Sequence, residues 1–493
     1  MEPHLSELDS ALIAGSNVTW MIKNEFLPIR SDGDHTVVAF ADPTNPAHLE
    51  AAAAVWGEKV RTAIAPRAAL LNTLASLDPR GKAASLEADE STVTQIVEQI
   101  LTAAVKDGAS DIHLEPLSDR LRVRFRVDGV LLIHKEYRLD LARAIAMRIK
   151  VLCEADVAER RRHQDARLYF ESAGQELDMR VSIYVTVHGE KIVLRLLNRN
   201  RQVTPLDEIG MAPHILTRFL DDALSRPSGV LMVTGPTGSG KTSTLYSCIH
   251  HIINPETSII TAEDPVEYVV DGISQCSIDP SIDRGFDSTL KQIVRQDPDV
   301  IVIGEIRDTF SANTAIQAAL TGHKVLTTFH TEDSIGGLMR LLNMNIEAFL
   351  ISSTVISVLA QRLLRRVCVE CATPYRPTPQ DYRRLGYFGN ELDAARFVTG
   401  RGCDACRHTG YAGRLAIFEV LVMDETVREA ILHRKTSQEI RRLARETSQV
   451  VSLFEDGVNK AAKGWTTIHE VNRMLPRLDK PRPLNELTRL LGA

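Results

Sequence analysis

The octapeptide GPTGSGKT at residues 235–242 has the residue types and the spacing of a phosphate-binding loop. It lies between the apolar run GVLMVT and a helical pattern, the context required by G-x-x-x-x-G-K followed by Ser or Thr. Its glycines let backbone N–H groups turn onto phosphates, Lys241 can act on the outer phosphates, and the Thr242 hydroxyl can hold Mg²⁺. A purely structural glycine-rich turn is the alternative. The predicted nucleotide site consists of Gly235, Pro236, Thr237, Gly238, Ser239, Gly240, Lys241 and Thr242.

Acidic residues end two further apolar runs. In DPDVIVIGEIRD, residues 297–308, Glu305 follows the run and can stand beside Mg²⁺ and the attacking water. In TAEDPVEY, residues 261–268, three carboxylates follow another run, and Glu263 among them can polarise water. Carboxylates at strand ends of an α/β sheet lie where its ligands bind. Glu305 and Glu263 are therefore catalytic candidates together with Lys241, with helix capping and turn formation as the alternatives for the two glutamates.

Two histidines flank a fourth apolar run, in TGHKVLTTFHTEDS. A histidine in such a place is usually a structural residue with its hydrogen bonds satisfied. His323 and His330 can instead sense the terminal phosphate or couple it to a neighbouring subunit. We place His330 in the predicted nucleotide site on this basis.

Four of the seven cysteines form two pairs, Cys368-x₂-Cys371 and Cys403-x₂-Cys406, separated by 31 residues. Paired thiolates at this spacing can close a tetrahedral structural zinc site. Unpaired buried thiols are the alternative. The long intervening span predicts a projecting zinc subdomain at about residues 366–410, and the other three cysteines are predicted to be core or incidental residues.

The pattern of elements explains how these residues can meet. From about residue 229, β-branched apolar runs alternate with helical stretches, which predicts a mostly parallel sheet. Upstream, LRVRFRVDGV alternates strictly and ends in an Asp-Gly turn, which is typical of a hairpin in an α+β domain. The predicted divisions are a small α/β module at 1–78, a linker at 79–92, the α+β domain at 93–203, the P-loop domain at 204–475 and an exposed tail with a short amphipathic helix at 476–493.

Composition and charge narrow the class of protein. The 493 residues are 44% hydrophobic and 25% charged, as in ordinary globular proteins, and no run of about 18 apolar residues predicts a membrane span. The start lacks the basic and apolar regions of a signal peptide. We therefore expect a cytoplasmic protein without direct membrane insertion.

The charge is unevenly distributed: residues 1–92 carry a net charge of −6 and residues 120–201 one of +7. This asymmetry indicates modules with different partners. A solvated basic surface is one interpretation of the second segment. Nucleic-acid binding is not predicted, because aromatic residues are only 5% and no recognition motif accompanies the charge.

The ordered motifs GPTGSGKT, TAEDPVEY, DPDVIVIGEIRD and TGHKVLTTFHTEDS resemble the Walker A motif, Asp box, Walker B motif and His box of bacterial secretion ATPases. These enzymes power type II secretion and type IV pilus assembly. The resemblance continues upstream in DGASDIHLEP and RRRHQDAR and downstream in GYAGRLAIFEVL, so that it covers roughly residues 90–470.

The resemblance implies an α/β fold: a RecA-like P-loop ATPase domain with a parallel-sheet core, preceded by an α+β (PAS-like) domain and a small N-terminal α/β domain. It also implies a homo-hexamer that hydrolyses ATP with Mg²⁺. The family pattern assigns phosphate contacts to Arg180 in MRVS and Arg195 in VLRLL. The cysteine insert favours a secretion or pilus-extension enzyme over a retraction enzyme.

Partners are implied by the same resemblance. Residues 1–78 resemble the domain that docks on a membrane-anchored partner, and the ring would act on an inner-membrane platform protein that adds pilin subunits. The expected location is therefore the inner face of the inner membrane, peripheral through partners. Type II secretion, type IV pilus assembly and a competence pilus remain open, as does a nucleotide-gated scaffold without turnover. A DNA-translocating ring is disfavoured.

Overall fold

The computed structural model describes residues 9, 12, 21, 24–32, 34–56, 59–67, 69–70, 73–74, 90–172, 175–197, 203–388, 391–392 and 394–492. The chain divides into two compact units, Met1–Glu98 and Gln99–Ala493. Of the predicted linker at 79–92, residues 79–89 lie outside the described residues. No helix in the described ranges has both the length and the apolar character needed to cross a membrane.

The first unit contains a three-stranded sheet and a helix. Its elements are β1 (Phe26–Asp32), β2 (His35–Phe40), α1 (Pro46–Trp56) and β3 (Val60–Ile64). Strand β2 lies in the middle, antiparallel to β1 and parallel to β3. Phe26 and Phe40 are fully buried, and Trp56 packs edge-on against Phe26. Apolar burial at the sheet therefore gives this α/β module a core of its own.

An antiparallel sheet forms the α+β domain. Its elements are α2 (Glu90–Lys106), β4 (Asp111–Pro116), β5 (Arg120–Val127), β6 (Val130–Arg138), α3 (Asp140–Leu152), β7 (Gln164–Ser172), β8 (Gln175–Thr186) and β9 (Gly189–Leu197). The strand order is β6-β5-β4-β9-β8-β7. The alternation predicted for β5 is confirmed, because Leu121, Val123 and Phe125 are buried. Asp128 and Gly129, with φ of 50° and 82°, form the tight turn to β6.

The remaining elements run from residue 213 to residue 491. The first group is α4 (Pro213–Phe219), β10 (Gly229–Thr234), α5 (Lys241–Ile252), β11 (Ile259–Glu263), β12 (Ser274–Ser277), α6 (Phe286–Ile293), β13 (Val300–Ile303), α7 (Thr309–Leu320), β14 (Lys324–Phe329), α8 (Ser334–Asn343) and α9 (Ala348–Thr354). The second group is β15 (Val355–Val367), β16 (Ala372–Pro374), α10 (Pro379–Leu385), β17 (Val398–Gly400), β18 (Tyr411–Val422), α11 (Glu425–Leu432), α12 (Ser437–Glu446), α13 (Leu453–Ala462), α14 (Ile468–Met474) and α15 (Leu484–Leu491).

Seven strands form the central sheet, in the order β12-β11-β13-β14-β10-β15-β18. All neighbours are parallel except β15 and β18. Every residue of β10, β13 and β14 is buried, as expected for strands covered on both faces. The predicted parallel-sheet α/β core is thus confirmed. The carboxyl ends of β10, β11, β13 and β14 meet at one edge of the sheet.

The insert between β15 and β18 differs from the projecting subdomain that the sequence predicts. Its Leu385, Tyr387 and Phe397 are buried in one apolar cluster with residues of the C-terminal helices, including Val458 and Val471. Apolar side chains must be covered, and here the C-terminal helices cover them. The insert is therefore part of the body of the P-loop domain.

The C-terminal tail also differs from expectation, because it is packed and not an exposed extension. The amphipathic helix α15 is present, and its Leu484, Leu487 and Leu491 are buried. Ahead of it, the Arg482 guanidinium donates to Glu455 Oε2 at 3.3 Å and to the Val450 carbonyl at 3.0 Å. An apolar stripe and a buried ion pair thus hold the tail to the domain.

Replacing Leu487 with Ala should destabilise the protein, because a fully buried leucine is lost from the tail helix. We expect a loss of about 2–5 kcal/mol, seen as a lower melting temperature. Arg489→Ala on the exposed face of α15 is the matched control and should change stability by less than about 0.5 kcal/mol. Equal melting temperatures for the two variants would contradict the packed tail.

Candidate functional site

The predicted phosphate loop joins β10 to α5 at the carboxyl edge of the central sheet. Gly240 has φ of 92° at the amino end of α5, a left-handed conformation that favours glycine. At Gly235 a Cβ atom would collide with the Gln361 carbonyl oxygen of the neighbouring strand β15. The first turn of α5 offers backbone N–H groups without helical partners. Loop and helix together therefore form an anion-binding cradle.

Lys241 opens α5 and is buried, with 8% of its surface exposed. Its Nζ donates to the carbonyl oxygens of Gly235 at 2.7 Å and Pro236 at 3.1 Å. Burial lowers the pKa of Lys241 to about 8, although the charge of Glu305 opposes that shift. Nearby, the buried Ser239 Oγ has no hydrogen-bond partner in the part of the chain that the structure describes. Both residues fit a loop that receives the phosphates of a nucleotide.

The predicted Walker B carboxylate and the second histidine meet beside this lysine. His330 Nε2 lies 3.1 Å from Glu305 Oε2, and His330 Nδ1 lies 3.5 Å from Lys241 Nζ. Arg307 pairs with Glu305 through Nε, and its Nη1 lies 3.1 Å from Asp264 Oδ2. Opposite charges therefore alternate across the loop, from Lys241 through Glu305 to Arg307.

His323 is not part of this cluster. It precedes β14, whereas His330 follows it, so the two residues lie at opposite ends of one strand. His323 Nδ1 lies 2.9 Å from the Ala318 carbonyl oxygen and 3.0 Å from Thr321 Oγ1. It is a structural residue at the end of α7, and the sequence hypothesis of a second sensor histidine is wrong for it.

Glu263 ends strand β11 and is almost buried, with 4% exposed. Its carboxylate accepts hydrogen bonds from Thr261 Oγ1 at 2.6 Å and from the Tyr246 hydroxyl at 2.5 Å. Glu267 lies in the same cleft; burial raises its pKa, while Arg180 and Arg195 oppose that shift. The Asp-box carboxylates therefore sit in an environment shaped by hydroxyl donors and by the arginines of the α+β domain.

Arg180 and Arg195 are directly opposite each other on β8 and β9. Both line a cleft of about 860 Å³ whose other wall holds the phosphate loop from Thr237 to Thr242, together with Glu263, Glu305 and His330. Arg195 Nε also donates to Asp111 Oδ1 at 3.0 Å. The cleft thus brings together the predicted site residues of two domains, at a volume typical of ligand pockets.

Sequence reasoning missed several residues that the structure places at the site. Arg307 could have been found, because it follows Glu305 by two residues at the same strand end. Gln361 carried no such signal: it comes from β15, and its Oε1 accepts the Thr244 hydroxyl at 2.6 Å behind the loop. Tyr246 and Gln275 likewise reach Glu263 only through the tertiary fold.

The four paired cysteines converge into one cluster. Sγ–Sγ distances are 3.8 Å for Cys368 with Cys403, 3.8 Å for Cys371 with Cys406 and 3.7 Å for Cys403 with Cys406. Four sulfurs bound tetrahedrally at about 2.3 Å from Zn²⁺ would be about 3.8 Å apart. Backbone N–H groups of Cys403 and Gly410 donate to Cys406 Sγ, each at 3.2 Å, which favours thiolate. The donor set fits a structural metal ion.

The cysteine loop touches the α+β domain. Arg407 Nη2, next to the cluster, lies 2.9 Å from Asp107 Oδ1 at the end of α2. The Gly413 N–H donates to Asp128 Oδ2 in the β5–β6 turn at 2.7 Å. The loop therefore links the cluster to the domain that supplies the cleft arginines.

Comparisons with known proteins agree with the motifs. A family model described as "Type II/IV secretion system protein" matches residues 86–473, and one described as "MshEN domain" matches residues 1–84. Type II secretion system protein E of Xanthomonas campestris is 43% identical over 78% of this chain and 68% of that protein. Type IV pilus assembly ATPase PilB of Thermus thermophilus is 41% identical over 78% of this chain and 43% of that protein.

The fold is also found among solved structures. The X-ray structure of the Legionella pneumophila ATPase DotB has a TM-score of 0.56 and 22% identity, covering 77% of this chain and 95% of that chain. The RecA-like fold and the family resemblance inferred from the motifs are thus confirmed.

Nucleotide affinity should fall as pH rises above about 8, the pKa to which burial lowers Lys241. A bound phosphate favours the charged lysine, so binding above this pH must take up a proton, whereas below it the lysine is already charged. We expect the Kd of Mg·ADP to rise up to about tenfold per pH unit above pH 8. Titration calorimetry in buffers of different ionisation enthalpy measures the proton uptake directly.

Lys241→Arg is the control for this pH dependence, because a guanidinium stays charged throughout the range. Its Kd should be flat where that of the natural protein rises. A flat profile in the natural protein from pH 7 to 9.5 would remove Lys241 as the linked group.

Proposed function

The chain belongs to the type II/IV secretion system protein family, and we propose that it is a hexameric ATPase that drives pilin or pseudopilin assembly in type II secretion or type IV pilus biogenesis. The observation that carries this proposal is the cleft. Lys241, Glu305 and Glu263 on one wall face Arg180 and Arg195 on the other, so that both domains surround the space for a triphosphate.

The chemistry needs positioning and charge more than covalent work. The phosphate loop and Lys241 hold the phosphates, and the Thr242 hydroxyl, exposed to the cleft, is the residue that would hold Mg²⁺. When bound, Mg²⁺ supplies positive charge to the phosphate oxygens. Arg180 and Arg195 stabilise negative charge that develops during transfer.

Either acidic strand end can orient the attacking water. His330 lies between Glu305 and Lys241 and connects the two side chains. Arg307 pairs with Glu305 as its counter-ion. A bound phosphate would compete with Glu305 for Lys241 and Arg307. This competition would free the carboxylate when nucleotide binds. Glu263 is held in place by hydroxyl donors and is the second candidate. His330 between Lys241 and Glu305 is suited to sense the terminal phosphate.

Hydrolysis would do mechanical work by changing the cleft. Its arginine wall belongs to the α+β domain, and loss of the terminal phosphate removes the charge that attracts it. In a ring of identical subunits this movement passes to neighbours. We propose that it acts on an inner-membrane platform protein, with residues 1–78 docking on a membrane-anchored partner, so that the ring lies at the inner, cytoplasmic face of that membrane.

Type II secretion and type IV pilus assembly are supported almost equally as the candidate pathway. The relatives named for the two processes are 43% and 41% identical to this chain. A competence pilus is the third candidate of the same kind. All three use the same proposed chemistry, so the ATPase reaction can be tested before the pathway is known.

We further propose that Zn²⁺ occupies the four-cysteine cluster as a structural ion. The donor set supports this assignment: four thiolates at tetrahedral spacing leave no position open for water or substrate. The ion would order Arg407 and the adjoining start of β18 at Gly413, both of which contact the α+β domain.

Glu305→Gln should abolish most ATP hydrolysis and keep nucleotide binding, because the amide keeps the size of the side chain and loses its basic oxygen. We expect kcat to fall at least about a hundredfold, with the Kd of Mg·ADP within about threefold. Phosphate release by the assembled oligomer measures the first quantity. Glu263→Gln measured in parallel decides which carboxylate orients water.

Glu332→Gln is the matched control, since this carboxylate is 80% exposed and only two residues beyond His330. It should hydrolyse ATP at the natural rate. If Glu305→Gln and Glu263→Gln both do so as well, neither carboxylate orients the attacking water. If the natural oligomer binds Mg·ADP but does not hydrolyse ATP, the motor proposal is wrong and a nucleotide-gated scaffold is favoured.

The purified protein should contain about one Zn²⁺ per chain, measured by atomic emission. Cys403→Ser should lose most of the metal and melt at lower temperature, because metal binding contributes to folding. Cys276→Ser, outside the cluster, should keep the full metal content. A metal-free natural protein with unchanged stability would contradict the assignment.

A further inference from the structure

A buried tyrosine connects the helix of the phosphate loop to the Asp-box carboxylate. Tyr246 lies on α5, five residues after Lys241, and only 1% of its surface is exposed. Its hydroxyl donates to Glu263 Oε2 at 2.5 Å. Its ring packs edge-on against Tyr268, with 5.1 Å between ring centroids. The contact thus joins two motifs that are separate in sequence.

The hydrogen bonds of the Glu263 carboxylate divide unevenly between its two oxygens. Oε1 accepts from Thr261 Oγ1 at 2.6 Å and from Gln275 Nε2 at 3.3 Å. Gln275 Oε1 accepts the Val270 N–H at 2.8 Å, and this bond turns Nε2 toward the carboxylate. Each carboxylate oxygen has about two acceptor positions. Oε1 is therefore filled, whereas Oε2 accepts only from Tyr246 among the described residues and keeps one position for a further donor.

Tyr246 is suited to this role as a permanent donor. Burial and the nearby charge of Glu263 raise the pKa of the Tyr246 phenol, so its hydroxyl keeps its proton. The Tyr268 carbonyl oxygen, at 3.2 Å, is a second acceptor, but Glu263 is closer. The short bond to a carboxylate is the stronger of the two.

We propose that Tyr246 is a positioning residue of the ATPase site: its hydroxyl fixes Glu263 so that the remaining acceptor position of Oε2 receives the attacking water. The inference rests on the proposed ATPase function. Thr261 anchors the opposite oxygen, and the two hydroxyls define the rotation of the carboxylate group. Because α5 begins in the phosphate loop, the same helix then places both Lys241 and the carboxylate of a different strand.

Tyr246→Phe removes only the hydroxyl and keeps the ring. We expect kcat for ATP to fall about tenfold or more, with KM and the Kd of Mg·ADP within about twofold, because the phosphate loop is unchanged. Tyr387→Phe is the matched control. Tyr387 is fully buried and donates to the Arg482 carbonyl at 2.9 Å among the C-terminal helices. It should lower stability similarly and leave kcat unchanged.

A double-mutant cycle shows whether Tyr246 acts through Glu263. Tyr246→Phe in a Glu263→Gln background should cause no further loss of kcat, since the group that it positions is gone. Independent, multiplying losses in the two variants would overturn the inference, as would a natural kcat in Tyr246→Phe. Thr261→Val removes the hydroxyl that holds Glu263 Oε1 and keeps nearly the same side-chain volume. It should also lower kcat and leave KM unchanged. It decides the question if Tyr246→Phe fails to fold.

The outcomes separate this inference from the function on which it rests. A natural protein that hydrolyses ATP while Tyr246→Phe is fully active removes the positioning role alone. A natural oligomer that binds Mg·ADP without hydrolysing ATP removes both.

Discussion

The parallel sheet, covered on both of its faces, is the constraint on which the site depends. Strands β10, β13 and β14 are buried along their whole length, so the charged side chains lie at or beyond their ends. Parallel strands place those ends at one edge. The phosphate loop, Glu263, Glu305 and His330 meet there, although they are spread over residues 235–330 of the chain. Burial of apolar strands therefore positions the chemistry.

Charge balance is the second element of the site. Lys241 has given up water for two loop carbonyls, and Glu305 is shared by His330 and Arg307. Lys241 is buried, whereas His330 and Arg307 are half-exposed, so water also helps to balance the charge of Glu305. An incoming triphosphate with its metal would offer better partners to the lysine and to the arginines of the opposite wall. The charged groups of both walls are therefore placed to contact one bound triphosphate.

The sequence predicts the parts of this structure that are local. The phosphate loop is a contiguous motif, and the buried strands are contiguous apolar runs, so both could be located from residue types alone. Tyr246, Gln275 and Gln361 could not, because their partners depend on which helix covers which strand. His323 shows the opposite case. It is close to His330 in sequence, but β14 lies between the two histidines and places them at opposite ends of the strand. The tail and the insert have clear apolar patterns, but a pattern does not say what covers it.

Strand β15 connects the nucleotide loop to the cysteine cluster. Gln361 in its middle contacts the phosphate loop and α5, and Cys368 follows its last residue. Beside the cluster, Arg407 contacts Asp107, and Gly413 at the start of β18 contacts Asp128, both in the α+β domain. Hydrogen bonds to β10 and β18 fix the register of β15 in the central sheet. The phosphate loop and the domain that carries Arg180 and Arg195 are thus joined by a second route besides the cleft. A metal ion bound by the four cysteines would hold this part of the chain in place against the α+β domain.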